Sequence, residues 1–255
     1  SFVYSHKNTL FFDMKLSNGF KKILKLLFVK IPLFFIAFTL LWVLLLKWLP
    51  VYFTPLMAIR SIEYRNDKDF HTYKTWRSLS EISPNMTMAV MAGEDNRFLE
   101  HNGFDWVEIK KAIKERKRGK RFRGASTISQ QTAKNVFLYP GKSWFRKGLE
   151  AYFTCLIELI WGKKRIMEVY LNVAEMGKGI YGAEAAAEHL FQTRASKLTR
   201  RQSALIAASL PNPLKRKANR PTQYIKRRSS DIERIMRTLP SPEWISSKSS
   251  GTKKR

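Results

Sequence analysis

Only one cysteine occurs, Cys155, so no disulfide can form within the chain, and its apolar neighbours (AYFTCLIELIW) predict an unreactive thiol in a helical core. Acids are also scarce. Against 47 Lys and Arg stand 20 Asp and Glu, a formal net charge of +27, which points to an anionic partner such as nucleic acid, acidic lipid or a pyrophosphate. Charge alone does not choose among them. Four histidines with no His-x-x-x-His spacing give no metal-ligand pattern, so no metal site and no cofactor is assigned, although a divalent ion (Mg or Mn) stays compatible with the acids present. No run of period-two alternation bounded by turn residues occurs and no internal repeat is evident, so the expected fold class is mainly α. A chain of 255 residues can bury one core, or one core with an appendage.

The appendage is legible at Ile31 to Pro50 (IPLFFIAFTLLWVLLLKWLP), which has no charge from Ile31 to Leu46 and is long enough to span a bilayer. It exceeds the apolar region of a signal peptide and no small-residue cleavage site follows it. Lys30 and Lys47 flank the run, and Trp42 and Trp48 suit the headgroup region. Six lysines precede the span (Lys7, Lys15, Lys21, Lys22, Lys25 and Lys30) against the single Asp13, which predicts a cytoplasmic N-terminus and a remainder outside that membrane.

Beyond the span, apolar residues recur at helical spacing over 105–118, 144–161, 163–173, 182–191 and 199–210, with Asp105 and Thr199 as N-caps and Pro211 and Pro213 closing the last. Segments 119–124, 138–142 and 176–182 read as loops, and the Ser- and Lys-rich tail from Ser241 as disordered. The expected divisions are a basic segment 1–30, a transmembrane helix 31–50, a helical domain 51–240 and a tail 241–255.

Three segments carry the chemistry. In GEDNRFLEHNGFD (93–105), Glu94 follows the apolar run MTMAVMAG, so it sits at the end of a buried helix where desolvation lifts a carboxyl pKa toward that of a general base or acid. Asp95, Arg97, His101 and Asp105 crowd the same stretch beside Phe98, Phe104 and Trp106, with His101 read as structural. GASTISQQTAKN (124–135) holds Ser126, Thr127, Gln130, Gln131, Lys134 and Asn135; so polar a segment reads as a glycine-preceded helix N-terminus suited to an anion, not as a core face. RKGLE (146–150) places Glu150 within pairing distance of Arg146 and Lys147, which by itself reads as a solvated ion pair.

In order and spacing these segments resemble the peptidoglycan glycosyltransferases, the polymerases that link lipid II into glycan strands. The matching residues are Glu94, Asp95, Phe98, His101, Gly103 and Asp105; Gly124, Ser126, Thr127, Gln130, Gln131, Lys134 and Asn135; Arg146, Lys147 and Glu150; then KRIMEVYLN (164–172) and ALIAASLPNP (204–213). The resemblance covers roughly residues 60 to 220 and implies a lysozyme-like α-helical domain on a single-pass anchor. No Lys-Thr-Gly occurs, and Ser250 to Lys253 is the one Ser-x-x-Lys, in the tail, so the resemblance is to the monofunctional type without a penicillin-binding domain.

The resemblance implies Glu94 as the general base for the acceptor 4-hydroxyl and Glu150 as the second acid, holding the leaving group, its cationic partners or a metal. Lys134, Arg146, Asn135 and Lys142 would meet the leaving pyrophosphate. Lys142 stands where Arg is usual, a point charge in place of a planar fork. Asp95, Ser126, Thr127, Gln130, Gln131 and Lys147 complete the implied substrate-binding set. Implied partners are lipid II, the lipid-linked strand, the bacterial inner membrane and cell-wall synthesis or division proteins, with no nucleic acid; the domain would face the periplasm. Two rival readings fit less. A lysozyme-like hydrolase gains nothing from a cationic cradle, and a membrane-tethered polyanion binder leaves Glu94, Glu150 and the Ser-Thr-Gln-Gln cluster without a role.

Overall fold

A computed structural model describes residues 18–119, 124–141 and 143–245, so Lys142 and the basic stretch 120–123 lie outside the described residues. The chain forms two compact units, residues 1–42 and 43–255. In the first, helix α1 (Asn18–Lys25) runs through a π turn (Leu26–Lys30) into α2 (Ile31–Leu45). The widening has a cause in Pro32. Its ring would clash with the carbonyl four residues earlier, and at the adjacent residue the Ile31 N–H reaches back to Leu26 O instead. Among the described residues one helix is long and apolar enough to cross a membrane, Leu26–Leu45, 20 residues or about 30 Å. It overlaps the expected span 31–50 from Ile31 to Leu45. The helix stops ahead of Pro50, and carbonyls at its end, already within the second unit, are bonded there: Trp161 Nε1 donates to Val43 O at 2.7 Å, and Arg165 Nη2 to Leu46 O at 2.9 Å.

In the second unit α3 (Pro55–Glu63) starts at Thr54, whose side chain accepts from Met57 N, with Pro55 at the first helical position. The core helix is α4 (Pro84–Glu94), in which every residue from Met86 to Ala92 is buried. Its start is pinned where Ser83 Oγ donates to Leu198 O at 2.8 Å. Two later helices, α10 (Arg200–Ser209) and α11 (Gln223–Met236), pack on α4. Helix α5 (Trp106–Lys117) follows the Asp105 cap, and α6 (Ile128–Phe137) lies against α7 (Trp144–Ile160) and α8 (Gly162–Val173), with α9 (Gly182–Phe191) beyond α8.

Several expectations need correction. The loop expected at 176–182 is a hairpin: β2 (Glu175–Gly177) runs antiparallel to β3 (Ile180–Tyr181), which also pairs in parallel with β1 (Tyr73–Lys74). Strands of two or three residues are too short to show alternation. The polar helix α6 is a core element after all, with Ser129, Gln130, Thr132 and Asn135 buried beside Ile128, Ala133 and Val136. Its hydroxyls are bonded inside the protein: Thr132 Oγ1 donates to Ile128 O at 2.8 Å and Ser129 Oγ to Glu158. Cys155 is exposed rather than in the core, one turn from the exposed Leu159 on the same face of α7. Trp144 and Phe145 at the start of α7 are likewise exposed. In the expected tail, Trp244 and Ile245 pack against the core, and residues 246–255 lie outside the described residues.

Candidate active site

The last residue of α4 is Glu94, whose side chain is only 12% exposed. Gln131 Nε2 donates to its Oε2 at 3.0 Å, while Oε1 has no hydrogen-bond partner and faces Arg228 Nη2 at 3.8 Å. Burial raises the Glu94 pKa above the usual glutamate value. The Gln131 bond, Arg228 and Lys134 oppose that rise, and neighbouring Asp95 adds to it.

Asp95 is a strut. Its carboxylate accepts from Ile128 N at 3.0 Å and sits 3.0 and 3.1 Å from His101 Nε2, tying the first segment to the start of α6. Asp105 caps α5 through Val107 N and Glu108 N, both at 3.0 Å, and takes Arg97 Nη1 at 3.1 Å. Asp95, His101 and Asp105 offer ligand atoms within 4.8 Å of one another, the closest approach to a metal-binding group among the described residues. Both carboxylates already accept protein hydrogen bonds, so the group is accounted for as structure.

Thr127 and Gln130 close a capping box at the head of α6. Thr127 Oγ1 accepts from Gln130 N at 3.1 Å, and Gln130 Oε1 accepts from Thr127 N at 3.0 Å. Thr127 also donates to Gly103 O at 2.7 Å. Gly103 can approach so closely because it has φ +92° and no Cβ, which would lie 2.8 Å from Thr154 Cγ2. Ser126, just before the cap, is exposed on the cleft.

Along α6 the residues Gln131, Lys134 and Asn135 share one face and line a cavity. Burial lowers the Lys134 pKa below the ordinary lysine value; Glu150 and Glu94 pull it up, and Arg146 and Lys147 push it further down. On α7 Arg146 Nη1 donates to Glu150 Oε2 at 3.0 Å and Lys147 pairs with the other oxygen. The solvated ion pair expected there is buried, Glu150 being 3% exposed. Glu150 lines neither cavity and its partner Arg146 does, so the acid stands behind the cation rather than on the cleft wall.

Two cavities adjoin. One, of about 720 Å³, is walled by Glu94, Ser126, Tyr224 and Arg228; the other, of about 400 Å³, by Lys134, Asn135, Arg146 and Tyr170. Gln131 and Pro211 belong to both. The structure thus brings Glu94, Asp95, Ser126, Thr127, Gln131, Lys134, Asn135 and Arg146 to the cavity walls. Gln130 is turned into the cap, Glu150 and Lys147 stand beside Arg146, and Lys142 lies outside the described residues. Sequence reasoning missed Arg228 on α11, Tyr170 on α8, and the pair Arg60 and Glu175, whose Nε and Oε2 are 3.3 Å apart at the smaller cavity. Tyr170 lay inside a matched segment without an assigned role. The others depend on contacts between distant segments and leave no local signal.

A desolvated carboxylate and a pair of cations on one cleft equip an enzyme that moves a group away from an anionic leaving group. Residues 62–237 match the family described as transglycosylase. The chain is similar to biosynthetic peptidoglycan transglycosylases of Bacteroides thetaiotaomicron (58% identity over 209 residues, 82% of this chain and 84% of that protein) and Bdellovibrio bacteriovorus (51% over 214 residues, 83% and 86%). A third, from Caulobacter vibrioides, is 49% identical over 212 residues, 83% of this chain and 90% of its own. The chain belongs to the transglycosylase family and is a glycosyltransferase of peptidoglycan synthesis.

Proposed function

We propose that the protein polymerises glycan strands at a membrane, transferring the growing lipid-linked strand to the 4-hydroxyl of lipid II with inversion and release of undecaprenyl pyrophosphate. The observation that carries this reading is the joined cleft, with Glu94 on one side of Gln131 and Lys134 and Arg146 on the other. Glu94 takes the proton of the acceptor hydroxyl. The oxygen attacks the anomeric carbon of the donor as the bond to pyrophosphate breaks. Lys134 and Arg146 meet the charge that develops on the leaving oxygen, Arg146 fixed by Glu150, with Lys142 assigned to the same cradle from sequence. Ser126 and Asn135 contact sugar or phosphate, while Thr127, Gln130, Asp95 and Lys147 hold the frame.

A lipid-linked substrate fits the surroundings of the cradle. Trp144 and Phe145, 91% and 76% exposed, directly precede Arg146, and large apolar surface beside a cation site suits a bilayer interface. The helix Leu26–Leu45 anchors the enzyme with its N-terminus inside and the catalytic unit on the outer face, where confinement raises the effective substrate concentration.

The test is polymerisation of labelled lipid II by detergent-solubilised protein, wild type beside Glu94→Gln, with preformed glycan as a second substrate. Long strands from the wild type and a loss of roughly 1000-fold or more in the variant are expected. Cleavage of preformed glycan without strand growth would overturn the reading.

A further inference from the structure

Gln131 stands where the two cavities meet, and its amide has two unlike ends. Nε2 donates to Glu94 Oε2 at 3.0 Å, and Oε1 accepts from the Tyr170 hydroxyl at 3.2 Å. The two neighbours are not interchangeable, because a carboxylate only accepts and a neutral phenol can donate. Turning the amide over would set its oxygen against the oxygen of Glu94 and leave Oε2 without a donor.

Tyr170 is suited to prevent that turn. It is 1% exposed within α8, and burial, with Glu94 and Asp95 nearby, holds its pKa well above the ordinary tyrosine value. At neutral pH it therefore keeps its proton and can donate. The same arrangement makes the two oxygens of Glu94 unequal. Oε2 is occupied by Gln131, whereas the buried Oε1 has no hydrogen-bond partner.

We propose that Tyr170 is a positioning residue which, by donating to Gln131, locks the amide that holds Glu94 Oε2 and so leaves Oε1 as the oxygen that takes the acceptor proton. The inference rests on Glu94 being the base. In the transfer step the O–H bond of the acceptor breaks, its proton passes to Oε1, and the freed electron pair forms the new bond to the anomeric carbon. Tyr170 and Gln131 retain their own protons. Their part is to hold one carboxylate rotamer, which matters because a base displaced from hydrogen-bond reach abstracts nothing.

A double-mutant cycle on the full chain tests this, with initial rates on labelled lipid II for Tyr170→Phe, Gln131→Ala, the double variant and Glu94→Gln. Tyr170→Phe keeps the buried ring and removes one hydroxyl. It is expected to lower kcat roughly tenfold with KM within about twofold, as for an interaction made toward the transition state only. Gln131→Ala loses at least as much, and the double variant matches Gln131→Ala alone, because Tyr170 then has nothing left to position. Multiplying losses, or full kcat in Tyr170→Phe, would overturn the proposal. Thermal melts accompany each variant, and the Gln131 arm reads the same linkage from its other end should Tyr170→Phe fold poorly. A fully active Glu94→Gln would remove the base reading itself; an inactive one with multiplying losses removes only the role of Tyr170.

Discussion

Helix α6 reads polar along most of its length and is buried, whereas the neighbouring α7 opens with Trp144 and Phe145 and leaves both in the open. The contrast comes from partners. In α6 the Thr127, Ser129, Gln130 and Thr132 side chains all bond within the protein, so burial leaves them satisfied. At the head of α7 two aromatics forgo about 1.5–3 kcal/mol each of burial, a loss that folding alone does not explain. Polar letters lie inside here because other segments supply their partners, and under the proposed function the exposed aromatics would meet lipid.

The contrast can be broken at several points. The largest effect is expected from Arg146→Ala, which strips the buried Glu150 of one of its two cations. Lipid II turnover should fall by more than about 100-fold, and denaturant melts should register a loss of about 3 kcal/mol. Wild-type stability in that variant would mean that Glu150 is solvated. Next, Thr127→Val removes the cap of α6 and the bond to Gly103 O, and should cost about 1–2 kcal/mol in the same melts.

A subtler expectation concerns pH. Under the proposed mechanism activity requires Glu94 ionised and Lys134 protonated, so the profile is expected to fall on the acid side through a Glu94 pKa lifted by burial and on the alkaline side through a lowered Lys134 pKa. Lys134→Arg, whose guanidinium stays charged, should move the alkaline limb upward and leave the acid limb in place. An unmoved alkaline limb would remove Lys134 as its origin. Smallest should be the stability change in Trp144→Ser with Phe145→Ser, within about 0.5 kcal/mol. The same double variant should raise KM for lipid II a few-fold in proteoliposomes, and an unchanged KM would separate these aromatics from the lipid.

How much was legible in advance follows the same division. Helices α5 and α7 to α10 declared themselves through 3.6-residue periodicity, and Asp105 and Thr199 are caps as read. Glu94 stood out at the end of an apolar run among other ionisable groups, whereas Lys134 and Arg146 were drawn to the site by the resemblance of their segments to the peptidoglycan glycosyltransferases. The burial of α6 was not legible, since the partners of its polar groups, Gly103 and Glu158, lie in other segments. Nor was Arg228, which reaches the Gly93 carbonyl at 3.2 Å from α11, far along the chain. Cys155 shows the converse: an apolar neighbourhood in sequence does not say which side of the helix faces inward.

The π turn before Pro32 has a consequence in angular register. One residue more than an α-helix would need is wound into Leu26–Lys30, so the residues upstream are set about 100° out of phase with α2. Lys22 and Lys25 therefore point around the helix axis to a different azimuth from the one a regular thread would give them, and the compass bearing of the basic collar is fixed by one proline.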